Sequence, residues 1–207
     1  AHAPDAQLAA PEALQDSVAL LHSRPEGTRV VVVGGDGTLN RWLPALLHRG
    51  HELGVVAVGT GNDVARSLGL HGRAPLASLV HALNADPRPM DVGCAEWMDP
   101  QGREYRVLFL SSFTAGFDSA VVLRTLTGPR WLSGLPRYAW AALAELAHLQ
   151  TWRLDVTANG KHMHSGPALF ASSLNTPTFG SGMPATPAAR TNDGLLNLLL
   201  AGDFGRL

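Results

Sequence analysis

Val30-Val31-Val32-Val33-Gly34-Gly35-Asp36-Gly37-Thr38 is the stretch from which the rest of the chain can be read. Four β-branched residues in a row read as a fully buried strand, and Gly-Gly-Asp-Gly-Thr reads as a sharp turn that opens a helix. Glycines let the backbone approach a ligand closely, and successive N–H groups at a helix start cradle an anion, so the expected guest is a phosphate. The carboxylate of Asp36 is then out of place. It makes sense only if it works through a metal ion, a proton, or donors that need orienting.

Upstream, Pro11 to His22 carries Leu14, Val18 and Leu21 at helical spacing and ends before the turn-like Arg24-Pro25-Glu26-Gly27. Downstream, Thr38 has the chemistry of an N-cap for a helix that Gly50 closes, with Pro44 as an unexplained interruption. A second unit then repeats the first. Gly54 to Val58 reads as a strand leading into Gly59-Thr60-Gly61-Asn62-Asp63, and a short helix from Val64 to Leu68 is stopped by Gly69. Two parallel strands with such turns at their C-terminal ends point both turns into one crevice, which is where a nucleotide is expected. Pro75 followed by Leu76, Leu79, Val80 and Leu83 predicts an amphipathic helix that covers the sheet. Pro87-Arg88-Pro89 closes this α/β half, so the expected domains are 1–89 and 90–207.

From Met90 the pattern changes to alternation. Asp91 to Glu96 and Tyr105 to Ser112 read as strands about the turn Asp99-Pro100-Gln101-Gly102. Trp152 to Ala158 and Lys161 to His164 flank Asn159-Gly160, a strong hairpin signal, and Ala168 to Leu174 is a further strand. One helix interrupts them, from Pro136 to Leu149.

Composition bounds the function. The chain has 207 residues, 45% hydrophobic and 16% charged, with 16 basic against 17 acidic residues. A net charge of -1 gives no global field toward nucleic acid or anionic lipid, so no nucleic-acid partner is expected and any membrane contact is local. No transmembrane segment is expected, and the polar Ala1 to Gln7 does not read as a signal peptide. The single cysteine, Cys94, excludes an internal disulfide framework and suits a reducing compartment.

Gly34 to Thr38, then Gly59 to Ala65, then Gly116-Phe117-Asp118, then Asn175 to Met183 with Asn192 to Leu196 stand in an order that resembles diacylglycerol kinase catalytic domains. Within that family the chain resembles the bacterial soluble lipid kinases, relatives of the sphingosine and ceramide kinases. The resemblance implies an α/β, Rossmann-like nucleotide-binding domain of the NAD kinase and diacylglycerol kinase type, followed by a mostly antiparallel β-sandwich domain. It implies ATP and Mg2+ in the cleft, and transfer of the γ-phosphoryl group to the hydroxyl of diacylglycerol or a similar lipid. It places Gly34, Gly35, Asp36, Gly37, Thr38 and Asn40 around the ATP phosphates, with Thr60 from the second turn. Asp36, Asp63 and Asp91 match acidic positions of a water and magnesium network. Arg190, Asp193 and Leu195 match a further metal site, to which Arg190 and Leu195 can offer only backbone carbonyls. The implied location is cytoplasmic and peripheral to a membrane, with oligomeric state open.

Three positions depart from the family pattern: Ala57 before the second turn, Arg41 after Asn40, and Ser111 upstream of Gly116. The resemblance also implies an earlier strand and a late Asp-Gly-Glu whose aspartate is the general base. The chain holds only Asp36-Gly37 and Asp193-Gly194 as Asp-Gly pairs, so it reads as truncated at both ends and without that base. Alternatives are a soluble-substrate kinase of the NAD kinase type, which shares the first turn, and a catalytically inactive nucleotide- or lipid-binding relative. His162 and His164 alternate on a strand and read as an exposed hairpin edge more readily than as metal ligands. Trp131, Leu132 and Leu135, flanked by Arg130 and Arg137, fit equally an interfacial patch or the packing of a helix.

Overall fold

In the computed structural model, residues 6–11, 13–129, 131–132 and 134–203 are described. The N-terminal half runs α1 (Leu14–His22), β1 (Arg29–Gly34), α2 (Asp36–His48), β2 (Glu52–Ala57), α3 (Asp63–Ser67) and α4 (Pro75–Asn84). β1 and β2 pair in parallel from Arg29↔Glu52 to Gly34↔Ala57, which places the two glycine turns side by side at the C-terminal strand ends. α2 begins at Asp36, so Gly35 is its N-cap and Thr38 lies inside the first turn instead of capping it. The turn is therefore tighter than the sequence suggests. Pro44 lies on the exposed side of α2, where the Asn40 carbonyl it leaves without a helical donor can reach solvent.

The valine run is not buried throughout. Val32 joins Leu39, Leu43, Val55 and Val64 in the core, whereas Val33 is 59% exposed. Successive strand side chains point to opposite faces, and Arg29, Val31 and Val33 share the face that α4 crosses. α4 meets that face at Arg29, whose guanidinium donates to Leu83 O at 2.9 Å, and at Gly54, where a Cβ would lie 2.8 Å from Ala82 Cβ. Such close approach needs small residues, so α4 turns Ser78 and Ala82 to the strands and leaves Leu76, Leu79 and Val80 exposed. Of the four apolar residues expected to cover the sheet, only Leu83 is half-buried, so the contacting face is shifted from the one hydrophobic spacing predicts.

The second half runs β3 (Gly93–Met98), β4 (Glu104–Phe109), β5 (Ser112–Gly116), α5 (Phe117–Thr127), α6 (Gly134–Ala147), β6 (Trp152–Ala158), β7 (Lys161–Leu174), β8 (Thr178–Phe179), β9 (Met183–Pro184) and β10 (Asn197–Gly202). Its pairings are all antiparallel. β7 is one long strand where two were expected: its first half pairs with β6 and its second lies between β5 and β10. Asn159 and Gly160 both adopt positive φ, 51° and 75°, as a two-residue hairpin turn requires. The sequence pattern does not predict α5, because its Val-Val-Leu and threonine content is poor helix patterning. Trp131 is 82% exposed, while Arg130 and the side chain of Leu135 lie outside the described residues. Among the described residues no helix is long and apolar enough to cross a membrane.

The split within one run of valines and the helix behind it can be measured. Leu39→Ala, at a site 1% exposed, is expected to lower unfolding free energy by about 3 kcal/mol in urea titration. Val33→Ala should change it by no more than about 0.5 kcal/mol, and an equal loss at both positions would show Val33 to be core.

Candidate functional site

Gly35 and Gly59 make the two turns touch. A Cβ on Gly59 would lie 2.6 Å from Gly35 Cα, and one on Gly35 would lie 3.0 Å from Gly59 Cα, so only glycine fits at either. Asn62 closes the second turn in the left-handed region at φ 55°, with its side-chain oxygen accepting from Gly59 N–H at 3.0 Å. Gly34 is excluded from carrying a side chain by Thr38, whose Cβ would be 2.8 Å away. Gly37 differs: nothing lies within 4 Å of where its Cβ would be, and it is exposed. The first-turn N–H groups of Asp36 and Gly37 have no partner within α2, so they face a place an anion can enter. Thr60 is exposed on the neighbouring turn.

Asp36 has a structural use visible only in three dimensions. Its Oδ2 accepts from Asp63 N–H and its Oδ1 from Val64 N–H, both at 3.0 Å. The carboxylate thus caps α3 from the other unit, and of the three explanations for it the orienting of donors is present in the structure. Asp63 is 5% exposed and reaches into the second half. Its Oδ1 accepts from Thr178 Oγ1 at 2.8 Å and Gly182 N–H at 2.9 Å, and its Oδ2 from Ser181 N–H at 3.2 Å. Asn40 also joins the halves, accepting from Leu110 N–H at 3.1 Å.

Asp36 and Asp63 converge over Gly61, where a Cβ would lie 3.1 Å from Asp36 Oδ2 and 3.6 Å from Asp63 Oδ2. Asp91 sits elsewhere. Its N–H donates to Thr191 O at 2.6 Å and its Oδ2 accepts from Gly194 N–H at 2.8 Å, which docks it on the turn that contains Asp193. Asp193 Oδ1 accepts from Leu195 N–H at 3.1 Å, while Arg190 is exposed at the start of the same turn. The structure therefore pairs Asp36 with Asp63 and Asp91 with the Arg190–Leu195 turn, and no hydrogen bond joins the two pairs among the described residues. Asn175 lies beside Asp91, donating to Asp91 O and Leu110 O at 2.8 and 3.0 Å, and its own buried Oδ1 takes no hydrogen bond from a described residue. No group of three His, Cys, Asp or Glu side chains is gathered for a metal among the described residues.

Two features escaped the reading of the sequence. Arg66, one turn after Asp63, lays its guanidinium on Gly182, where a Cβ would be 2.6 Å from Cζ. Arg66 Nη2 is 3.5 Å from Gly61 O, and its buried Nε lacks a hydrogen bond but lies 4.0 Å from Asp63 Oδ1, so a cation ion-paired with Asp63 stands beside the turn pair. The other is Asp118 with Tyr138. Burial pushes the Asp118 carboxyl above its ordinary pKa against hydrogen bonds from Thr114 and Ser172. Burial, then the charges of Asp118 and Asp63, push Tyr138 up as well, so Tyr138 stands within electrostatic reach of both. The motif Gly116-Phe117-Asp118 was the available signal, since a glycine before a buried aspartate marks a constrained backbone.

The family model for the diacylglycerol kinase catalytic domain matches residues 3–95, and that for the YegS C-terminal NAD kinase β-sandwich-like domain matches residues 111–207. The chain is 33% identical to a diacylglycerol kinase of Mycobacterium tuberculosis over 86% of its own length and 56% of that relative's. It is 32% identical to a probable lipid kinase YegS-like protein of Pseudomonas putida over 84% of its length and 55% of that protein's. The chain thus spans about half the length of these curated relatives. A solved diacylglycerol kinase structure from Bacillus anthracis shares the fold with a TM-score of 0.56 at 18% identity, covering 93% of this chain and 59% of that one. With both models matched in order along a chain whose two glycine turns touch, the protein belongs to the diacylglycerol kinase catalytic-domain family.

Proposed function

We propose that this chain carries the nucleotide side of an ATP-dependent lipid kinase that phosphorylates the hydroxyl of diacylglycerol or a similar lipid at the cytoplasmic face of a membrane. The observation that carries this reading is the apposition of Gly35 and Gly59, which sets two helix-opening turns side by side with Arg66 next to them. Phosphoryl transfer is chiefly positioning and charge neutralisation, and this arrangement supplies both. The N–H groups of Asp36 and Gly37, the hydroxyl of Thr60 and the guanidinium of Arg66 would hold the donor's phosphates. Gly34, Thr38 and Asn40 act behind them: Gly34 makes room for Thr38, and Asn40 ties α2 to the second half.

Magnesium takes hard oxygen ligands, and the donor set supports it. Each Asp36 oxygen accepts one N–H and keeps a free lone pair, as does Asp63 Oδ2, over a Gly61 position that a side chain would fill. Asp91, the unpartnered Asn175 Oδ1 and the Arg190–Asp193–Leu195 turn form a second collection of oxygens. A bound magnesium would neutralise phosphate charge. Asp63 meanwhile holds the two halves in register through Thr178, Ser181 and Gly182, whichever lipid is the acceptor.

Exposed Trp131, with Leu123 and Leu126 exposed on α5, supports contact with a lipid surface. Asp36→Ala should lower ATP-dependent phosphorylation of dioctanoylglycerol on the order of a hundredfold, as loss of a preorganised polar group does. An unmodified protein that binds ATP yet phosphorylates no lipid alcohol would identify a binding relative instead. Gly59→Ala, which drives a methyl into Gly35, should weaken ATP binding about tenfold or more in titration calorimetry. Unchanged affinity would mean that the turn pair does not hold the nucleotide.

A further inference from the structure

Asp118 is 7% exposed at the second position of α5, yet no cation pairs with it among the described residues. Its Oδ2 receives only long hydrogen bonds, 3.3 Å from Thr114 Oγ1 and 3.5 Å from Ser172 Oγ. The two hydroxyls bond each other more closely, at 2.7 Å. Oδ1 accepts nothing from a described residue. Its place in the first turn of α5 and two long hydrogen bonds offset only part of the cost of burying a carboxylate without a cation, and Oδ1 is not enclosed, so a ligand can reach it. The backbone before it is also constrained. Gly116 has φ 99°, and a Cβ there would lie 2.4 Å from Leu169 O, which fixes how the strand hands Asp118 to the helix.

Tyr138 of α6 supplies the complementary group. Its hydroxyl donates to no described residue, and it stands 3.5 Å from the Cβ position of Gly180. Gly180 adjoins Ser181 and Gly182, the residues that donate to Asp63, so Tyr138 reaches the hairpin that grips Asp63. α5 and α6 pack against each other, so an acceptor and a donor without protein partners occur in one neighbourhood.

We propose that Asp118 and Tyr138 form a second polar site that binds a neutral alcohol, the hydroxyl-bearing head of the lipid acceptor. One alcohol group satisfies both residues, donating to Asp118 Oδ1 while accepting from the Tyr138 hydroxyl. An anionic head is repelled by Asp118, and an ammonium has no lone pair to offer Tyr138. Thr114 and Ser172 are positioning residues that hold Oδ2 and leave Oδ1 for the ligand. The identity of the acceptor rests on the kinase reading; the site itself does not.

The test uses the whole protein with dioctanoylglycerol in mixed micelles. Asp118→Asn, which makes a charged acceptor neutral, and Tyr138→Phe, which removes the donor, should each raise the KM for dioctanoylglycerol about tenfold, with the KM for ATP within about twofold of the parent. The thermal midpoint of Asp118→Asn at pH 7 should equal or exceed the parent's, because a buried unpaired charge is removed. Equilibrium binding of dioctanoylglycerol, read by tryptophan fluorescence, should weaken by a similar factor. Binding by the parent without turnover would overturn the kinase reading and leave this site standing. No binding by the parent, equal binding by both variants, or a lowered thermal midpoint with parallel losses for lipid and ATP would overturn the site.

Discussion

The carboxylate of Asp36 accepts the N–H groups of Asp63 and Val64, and the geometry of the site depends on that pair of hydrogen bonds. Val64 is fully buried, so its N–H has no access to solvent, and hydrogen bonds to a charged acceptor contribute about 1.5–3 kcal/mol each. Because Asp36 is also the first residue of α2, one side chain fixes the start of α3 relative to the start of α2. The contact of Gly35 with Gly59 becomes possible only at that spacing. Asp63, fixed by Asp36 through its backbone, then uses its own carboxylate to grip Thr178, Ser181 and Gly182. Two carboxylates in series thus connect the first glycine turn to the β half.

Much of this was legible in the sequence where a local rule decides the outcome. The Asn159-Gly160 hairpin follows from a turn that requires positive φ at both positions, and no distant residue can alter that requirement. The two glycine turns are likewise written locally, and parallel pairing of the strands before them brings the turns together. The partner of Asp36 was not legible, since a side chain that caps a helix 27 residues away leaves no periodic trace.

α4 shows a different failure. Its leucine spacing is the stronger pattern, but the strand beneath it carries Gly54, and the close approach that glycine permits selects Ser78 and Ala82 for the contact. Val33 fails for a related reason: β-branching favours a strand, but burial depends on what lies across that face, and α4 reaches Arg29 and Gly54 without covering Val33. α5 was hidden by its own β-branched residues, which tertiary packing at buried Asp118 and Val121 overrides.

The two polar sites are built on opposite principles. Around Asp36 and Asp63 each of the four carboxylate oxygens already accepts a backbone or hydroxyl donor, so the groups are rigid before a ligand arrives. Around Asp118 the bonds are long and one oxygen is unused, although the residue is almost as deeply buried. Preorganisation suits a site that must hold several negative charges in one geometry, because a loose cradle would have to be ordered at the moment of reaction. A carboxylate oxygen without a protein partner suits a neutral alcohol, since the ligand's hydroxyl supplies a donor that the fold leaves out. The β8–β9 hairpin borders both sites, touching Asp63 through Thr178 and reaching Tyr138 through Gly180, so a ligand held at one site is positioned relative to the other by a single short element.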